Sequence, residues 1–266
     1  MIYAAVTGAA GRMGKAVIEA MEKNPLIELC GALERGDSSL IGHDAGAAKT
    51  GVKITGDRDK AFKKADVIID FSAPDVSIKT LEDAVTLKKA LVIGTTGFSH
   101  TQRETIKELS ARTRVVMSPN MSIGVNLLLK LVQDTASLIG KDYDIEIIEY
   151  HHSHKRDAPS GTAVRIAEVC AAALNRDLEK VAVYERKGIV GERKPEEIGI
   201  QSIRAGDIIG DHTVLFAAPG ERIELTHRAS SRDTFAAGAV KAAVWVVDKQ
   251  SGLYDMQDVL GLKGHL

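Results

Sequence analysis

The sequence predicts an α/β protein of two domains: a parallel sheet flanked by helices in the first, and a second domain of α+β character built on an antiparallel or mixed sheet. Three observations carry this. From Ile2 to about Pro119, short apolar runs alternate with amphipathic segments and glycine or proline punctuation, the rhythm of βα units around a sheet buried on both faces. After Ser122 strand-like runs follow one another with glycine turns between them, as antiparallel or mixed pairing requires. A last segment, apolar all round, is suited to return to the first domain. The expected boundaries are 1–122, 123–231 and 232–266.

In the first domain the apolar runs are Ile2–Thr7, Ile27–Leu33, Val67–Phe71, Ala90–Ile93 and Arg114–Met117. Helical segments are predicted over Arg12–Glu22, Val76–Lys88 and Ser99–Arg112, while Gly36–Gly56, richer in Gly, Ser and Asp, reads as a loop. In the second domain a long helix, about Gly124–Ile139, leads into Tyr143–His151, which alternates like a strand. A helix from about Ser160 to Leu174 follows, then strand-like runs at Ile198–Arg204, His212–Ala218 and Arg222–His227. The closing helix is Asp233–Lys249, with Phe235, Val240, Val244 and Trp245 on different sides.

Composition narrows the function. The chain has 266 residues and a formal net charge of −1, so nothing in bulk attracts nucleic acid or an anionic membrane. Aromatic residues make up 4%, too few for a base-stacking surface. Cys30 and Cys170 are far apart, in apolar settings and outside any CxxC pair, which suits buried thiols in a reducing compartment. Met1 runs straight into Ile-Tyr-Ala-Ala-Val without a basic region or cleavage site, and no apolar stretch approaches the ~20 residues of a membrane span. A cytoplasmic enzyme with a small-molecule substrate is the expectation.

Gly8-Ala9-Ala10-Gly11-Arg12-Met13-Gly14 directly follows the first strand and opens the first helix. This is where a dinucleotide pyrophosphate meets free N–H groups and the positive end of a helix. The usual GxGxxG would have glycine at position 10; Ala10 stands there, and Gly11 supplies a GxxGxxG spacing instead. Glu34, about 20 residues further on, suits the ribose hydroxyls. Arg35 beside it and Arg12 in the loop suit a 2′-phosphate, so both NADH and NADPH are expected as cofactors. Gly94-Thr95-Thr96-Gly97 and Ser118-Pro119-Asn120 follow the fourth and fifth strands, at the carboxyl ends where ligands of open parallel sheets sit.

The stretch Tyr150–Thr162 concentrates positive charge: His151, His152, His154, Lys155 and Arg156 lie within six positions. Such crowding lowers pKa values and readies a histidine or lysine for proton transfer near neutral pH. Ser160-Gly161-Thr162 then opens a helix after Pro159, a second anion site for a substrate with carboxylates. His152 and His154 share a face at a spacing zinc can use, with Glu149 or Asp157 as possible further ligands. No cysteine lies nearby, and no metal is the preferred reading.

Taken together, these motifs resemble the dihydrodipicolinate reductases along essentially the whole chain. The resemblance rests on GAAGRMG at Gly8–Gly14, GTTG at Gly94–Gly97, EYHHSHKRDAPSGTA at Glu149–Ala163, RAGDIIGDHTVLF at Arg204–Phe216 and HRASSRDTFAAGA at His227–Ala239. It implies a Rossmann-like NAD(P)H domain, an α/β sandwich that binds substrate and builds the oligomer, and a C-terminal return to the first domain. It implies a proton-transfer role for His151 and a general-acid role for Lys155, with substrate carboxylates at His152, Lys155, Gly161 and Thr162. Cofactor contacts carry over to Gly8, Ala9, Ala10, Gly11, Arg12 and Met13, to Glu34 and Arg35, to Gly94, Thr95 and Thr96, and to Ser118, Pro119, Asn120 and Met121. The implied reaction is reduction of 4-hydroxy-tetrahydrodipicolinate with loss of water, in the diaminopimelate route of lysine biosynthesis. The alternative is another two-domain dehydrogenase, of the aspartate or homoserine type, which has no evident use for the Glu149–Ala163 stretch. A homotetramer is expected, because only two helices are available to cover one face of the second sheet, and Ile203 and Leu215 mark the other for a partner.

Overall fold

The computed structural model describes residues 1–46, 50–231 and 233–263. Arg232, within the His227–Ala239 motif, and residues 264–266, at the end of the expected C-terminal segment, lie outside the described residues. The chain divides into two compact units, Met1–Ile123 with Arg232–Lys263, and Gly124–Ser231.

The first unit begins β1 (Ile2–Thr7), α1 (Arg12–Glu22), β2 (Ile27–Leu33), β3 (Ile54–Thr55), α2 (Arg58–Phe62) and β4 (Val67–Asp70). It continues with α3 (Pro74–Thr86), β5 (Ala90–Ile93), α4 (His100–Ser110) and β6 (Arg114–Met117). Helix boundaries fall where local chemistry puts them. Pro74 sits in the first turn of α3, ahead of the expected Val76, because a missing N–H costs nothing there. A reciprocal Ser99–Gln102 capping box starts α4 one residue later than expected.

The second unit holds α5 (Ile123–Ile139), β7 (Asp144–His151), α6 (Gly161–Ala173), α7 (Leu178–Val181), β8 (Ala182–Val183), β9 (Ile198–Arg204), β10 (Gly210–Ala218) and β11 (Glu221–Ala229). Its sheet runs β11-β10-β7-β9-β8. It is mixed: β10 is antiparallel to β7 and β11, while β9 is parallel to β7 and β8. The chain then returns to the first unit as α8 (Asp233–Val246), β12 (Gly252–Tyr254) and α9 (Met256–Val259).

The first sheet is entirely parallel, in the order β12-β6-β5-β4-β1-β2-β3. The run β3-β2-β1-β4-β5-β6 is the doubly wound dinucleotide-binding order, with the switch point between β1 and β4. Alternation explains why the strands read as continuous apolar runs. Ala4, Val6, Val67, Ile69, Ala90, Val92 and Val116 enter one core with Val17, Ile18 and Met21 of α1 and with Ala236, Ala239, Val240 and Ala243 of α8. Their neighbours Ala5, Ile68, Leu91, Ile93 and Val115 enter the other, with Phe62 of α2, Leu81 of α3 and Ile106 of α4. At about 1.5–3 kcal/mol per buried aliphatic side chain, the three apolar residues of β4 outweigh the ~1 kcal/mol span of β propensity.

The second sheet buries one face. Ile145, Ile147, Ile198, Ile200, Val214 and Phe216 pack with Leu128, Val132 and Ala136 of α5 and with Ala163, Ile166 and Cys170 of α6. On the opposite face, cross-strand register places Ile148 beside Gln201, Tyr150 beside Ile203, and Leu215 beside Glu224. Among the described residues no helix is long and apolar enough to cross a membrane.

Candidate active site

In the first unit, the glycine loop joins the carboxyl end of β1 to the start of α1. Gly8 adopts φ +75°, and a Cβ there would lie 2.7 Å from the Phe71 carbonyl oxygen. Gly14 makes the closer approach, since its Cβ would fall 2.1 Å from the Gly8 carbonyl oxygen and 2.8 Å from Ala9 Cα. Gly14 thus fulfils the helix–strand packing role of a fingerprint's third glycine. Gly11, at which a Cβ would lie 3.1 Å from the Gly8 carbonyl, is less crowded. The first-turn N–H groups of α1, from Arg12 and Met13 onward, carry no side-chain cap and remain suited to an anion.

Glu34 is tied into this loop: its carboxylate accepts from Ala10 N–H at 2.9 Å and from Arg35 N–H at 3.1 Å. Position 10 therefore needs a backbone N–H rather than a glycine, which is why Ala10 is accommodated. A carboxylate offers about four acceptor sites, so ribose hydroxyls can still be served. Arg35 extends outward beside Asp37 at 3.6 Å, its side chain 78% exposed.

These residues border a cleft of about 500 Å³ lined by Gly8, Gly11, Glu34, Arg35, Phe71 and Lys79, among others, within the usual size range of ligand pockets. Arg58 also lines it, held by Asp83 at 2.5 Å and Thr80 at 2.9 Å. Sequence reasoning missed Arg58, Phe71 and Lys79, since no short motif contains them. At Gly94 a Cβ would lie 2.1 Å from the Phe71 ring, so any larger residue there would require the ring to shift.

The Thr95 side chain turns inward, so a cofactor contact at this position would come from its backbone. The hydroxyl is buried, donating to Asp70 at 3.2 Å and accepting from Ser72 N–H at 3.0 Å. Asp70 also accepts from Ser72 N–H at 2.9 Å and Ser72 Oγ at 2.5 Å. Burial pushes the Asp70 carboxyl above its ordinary range, against those hydrogen bonds. Thr96 is exposed. Ser118 Oγ donates to the Asn120 carbonyl at 2.8 Å and Asn120 Oδ1 accepts from Ser122 N–H at 2.9 Å, fixing the turn that includes Pro119. Met121 is buried, its carbonyl pressed against Gly238 of α8.

In the second unit, the buried face of β7 carries Ile145, Ile147, Glu149 and His151 in alternation, apolar at one end and ionisable at the other. His151 Nδ1 lies 2.5 Å from Glu149 Oε2. Glu149 also takes a two-pronged bond from Arg204, at 2.8 and 2.9 Å, and the Ser160 N–H at 3.2 Å. Burial acts to raise the Glu149 pKa, but hydrogen bonds from Arg204, His151 and Ser202 outweigh it and hold the value at about 2. The ionised carboxylate can only accept, so Nδ1 of His151 carries a proton.

Lys155 donates to both oxygens of Asp157, at 2.8 and 2.7 Å, and that bond keeps the Asp157 carboxyl below its ordinary range. The expected cluster of positive charge is thus partly balanced by acids of the same stretch. Ser160 caps α6 by accepting from Ala163 N–H at 3.2 Å. At Gly161 a Cβ would meet open space, so the start of the helix is approachable. His152 lies 6.4 Å from His154 between ring centroids, and among the described residues no group of three or more His, Cys, Asp or Glu is placed to hold a metal ion.

His212, on β10, was missed by sequence reasoning as a site neighbour. Its ring stacks edgewise on His151 at 5.4 Å, and its Nε2 lies 3.0 Å from Ser160 Oγ. Burial, then the charge of His151, pushes its pKa down to about 4. The folded protein holds this imidazole neutral, while the unfolded chain takes up a proton below about pH 6.5. Stability should therefore decline as pH falls from 6.5 towards 4, by at most about 3 kcal/mol. A His212→Asn variant should flatten this part of the profile of Tm against pH. Equal declines in both proteins would show that the imidazole does not titrate in this way.

The sequence matches the family described as dihydrodipicolinate reductase, N-terminus, over residues 2–121 and the C-terminus family over residues 124–260. A protein of Geotalea daltonii named 4-hydroxy-tetrahydrodipicolinate reductase is 53% identical, covering 99% of this chain and 100% of its own length. A protein of the same name from Syntrophotalea carbinolica is 52% identical with the same coverage. The solved structure of a dipicolinate-bound dihydrodipicolinate reductase from Paenisporosarcina sp. TG-14 superposes with a TM-score of 0.77 at 25% identity, covering 97% of this chain and 98% of that one. With both of its halves matched and relatives aligned along its whole length, this chain belongs to the dihydrodipicolinate reductase family.

Proposed function

We propose that this chain reduces 4-hydroxy-tetrahydrodipicolinate to tetrahydrodipicolinate with loss of water, taking the hydride from NADH or NADPH, in the diaminopimelate route of lysine biosynthesis. The carrying observation is that one end of the second sheet joins His151 to the start of α6 through Glu149 and the Ser160 N–H, and to the loop that carries Lys155 through Arg204 and the Asp157 carbonyl. A dicarboxylate needs cations and N–H donors to hold it. His152, Lys155, Gly161 and Thr162 supply them in this reading. Lys155 exchanges its bond to Asp157 for one to the substrate, then delivers the proton as general acid. His151 assists that transfer through Nε2, the nitrogen not engaged by Glu149. The dipicolinate named with the Paenisporosarcina relative is an aromatic dicarboxylate of matching shape.

The cofactor reading assigns the pyrophosphate to the Gly8–Met13 loop and the ribose to Glu34. Arg35, with Lys79 and Arg58 around the same cleft, suits a 2′-phosphate. Gly94–Thr96 and Ser118–Met121 border the nicotinamide end, with the Thr95 side chain supporting its loop from within. Purified protein given enzymatically generated substrate should consume both reduced nicotinamides, followed by absorbance. A preference above roughly a thousandfold, about 4 kcal/mol, would remove either Glu34 or the cations from the assignment.

The cytoplasm is the compartment we assign, consistent with two free cysteines. We also assign a homotetramer built through the second sheet. Helices α5 and α6 pack on one face, while the other carries Ile148, Tyr150, Leu215 and Ile203, the last 39% exposed. Sedimentation at micromolar concentration should give four times the 28.5 kDa chain mass. A single species at the chain mass would rule the assembly out.

A further inference from the structure

Glu149 is assigned no contact with substrate or cofactor, yet it is wholly buried and both of its oxygens are engaged. Oε2 takes His151 Nδ1 and one Arg204 nitrogen, and Oε1 takes the other Arg204 nitrogen and the Ser160 N–H. Arg204 reaches further, donating to the Asp157 carbonyl at 2.7 Å. Three pieces of the site therefore meet on one carboxylate: the imidazole at the end of β7, the start of α6, and through Arg204 the loop that carries Lys155. Sheet packing does not call for this group. Ile145 and Ile147 on the same face are apolar, and an aliphatic side chain at 149 would continue the core without burying a charge.

We propose that Glu149, clamped by Arg204, is the positioning residue of the site: it holds His151 with Nδ1 protonated, leaving Nε2 to exchange the proton, and joins that imidazole to the helix start that binds the substrate. This rests on the proton-transfer role assigned to His151. The mechanism is orientation and charge balance, as when a carboxylate fixes the tautomer and plane of a working imidazole. Arg204 suits the clamp because its planar fork meets both oxygens at once and also neutralises the carboxylate. The charged and titratable groups around His151 are Glu149 on its own strand, Arg204 on β9 and His212 on β10. His227 of β11 and Lys155 of the loop act on His212 as neighbouring charges, while Asp157 pairs with Lys155 and accepts from Arg204 through its carbonyl. Removal of the carboxylate would leave His151 among positive or neutral groups, Asp157 apart.

The test is steady-state kinetics across pH on the full-length wild type, Glu149→Gln, His151→Ala and the double variant, with NADH affinity and thermal unfolding measured on each. The amide in Glu149→Gln still accepts from Nδ1 but carries no charge. It should lower kcat by at least roughly tenfold, the scale at which supporting hydrogen-bond partners act. It should also shift the limb of the profile that disappears in His151→Ala to lower pH, with NADH affinity unchanged. In the His151→Ala background the same substitution should cost less than about twofold, because the group it positions is gone. A folded Glu149→Gln with unaltered kcat and profile would overturn the proposal. So would an equal loss in both backgrounds, which is what a merely structural carboxylate would give. Full turnover in His151→Ala would instead sink the role of His151 itself, and this proposal with it. If Glu149→Gln does not fold, Arg204→Lys carries the test: it keeps the charge and loses the fork, and the absence of any kcat loss or pH shift there would overturn the clamp.

Discussion

Lys155→Ala is expected to lose turnover by roughly 10²–10⁴-fold, the range for removal of a group that delivers a proton in the transition state. Substrate binding should weaken as well, since one charged hydrogen bond contributes about 1.5–3 kcal/mol. NADH affinity should stay close to that of the wild type. Lys155 belongs to the second unit, and every residue around the 500 Å³ cleft belongs to the first. His151→Ala should show a loss of turnover in the same range with a smaller change in substrate KM, because His151 is buried and is assigned proton transfer, not a substrate carboxylate. Stopped-flow single turnovers with saturating NADH separate these effects. If both variants turned over at near wild-type rates, the assignment of acid and proton-transfer partner would be wrong.

Gly14→Ala is expected to cost more in the first unit than any other single methyl in the glycine loop. The added carbon would lie 2.1 Å from the Gly8 carbonyl oxygen and 2.8 Å from Ala9 Cα. Both are backbone atoms of the loop proposed to hold the pyrophosphate, so no side-chain rotation relieves the overlap. The helix must move off the loop, at a cost at or above the 1–3 kcal/mol typical of overpacking. Cofactor affinity should fall by roughly a hundredfold or more, and Tm with it. Gly11→Ala is the control: its nearest obstacle is at 3.1 Å, so its loss should be several-fold smaller. Equal cofactor affinities in the two variants, measured by fluorescence titration, would show that helix-to-loop contact does not govern the site.

Much of this fold was legible in the sequence because it rests on periods longer than a few residues. β1, β2, β5, β6 and β9 have the limits their apolar runs predict. The missing elements were short: β3 has two residues and β12 three, and neither Ile-Thr nor Gly-Leu-Tyr displays a pattern until neighbouring strands supply it. β10 and β11 run longer than predicted because their paired ends extend past the apolar residues, to Gly210 with Ala229 and Ala218 with Glu221. At the site, local motifs were visible and long-range partners were not. Glu149 lies two residues before His151 on an alternating strand, so the period of two already placed them on one face. Its link to Arg204, and the meeting of His212 with Ser160, depend on strand register 52 to 55 residues away. The inward turn of the Thr95 hydroxyl was hidden for a related reason: the buried Asp70 that accepts from it stands 25 residues earlier.

The return of α8, β12 and α9 to the first unit makes the order of synthesis differ from the order in which the molecule can be finished. When Met117 of β6 has been made, one flank of the first sheet still lacks Ala236, Ala239, Val240, Ala243 and Val246, which complete its core. The whole second unit must be threaded out before those residues exist. Such contacts span more than a hundred positions, and closing them is the slow kind of step in folding. During that interval an apolar sheet face stands open to solvent, the exposure that makes multidomain intermediates prone to aggregate. The nascent chain is therefore most vulnerable late, after its nucleotide-binding strands are all present and before its last helix arrives.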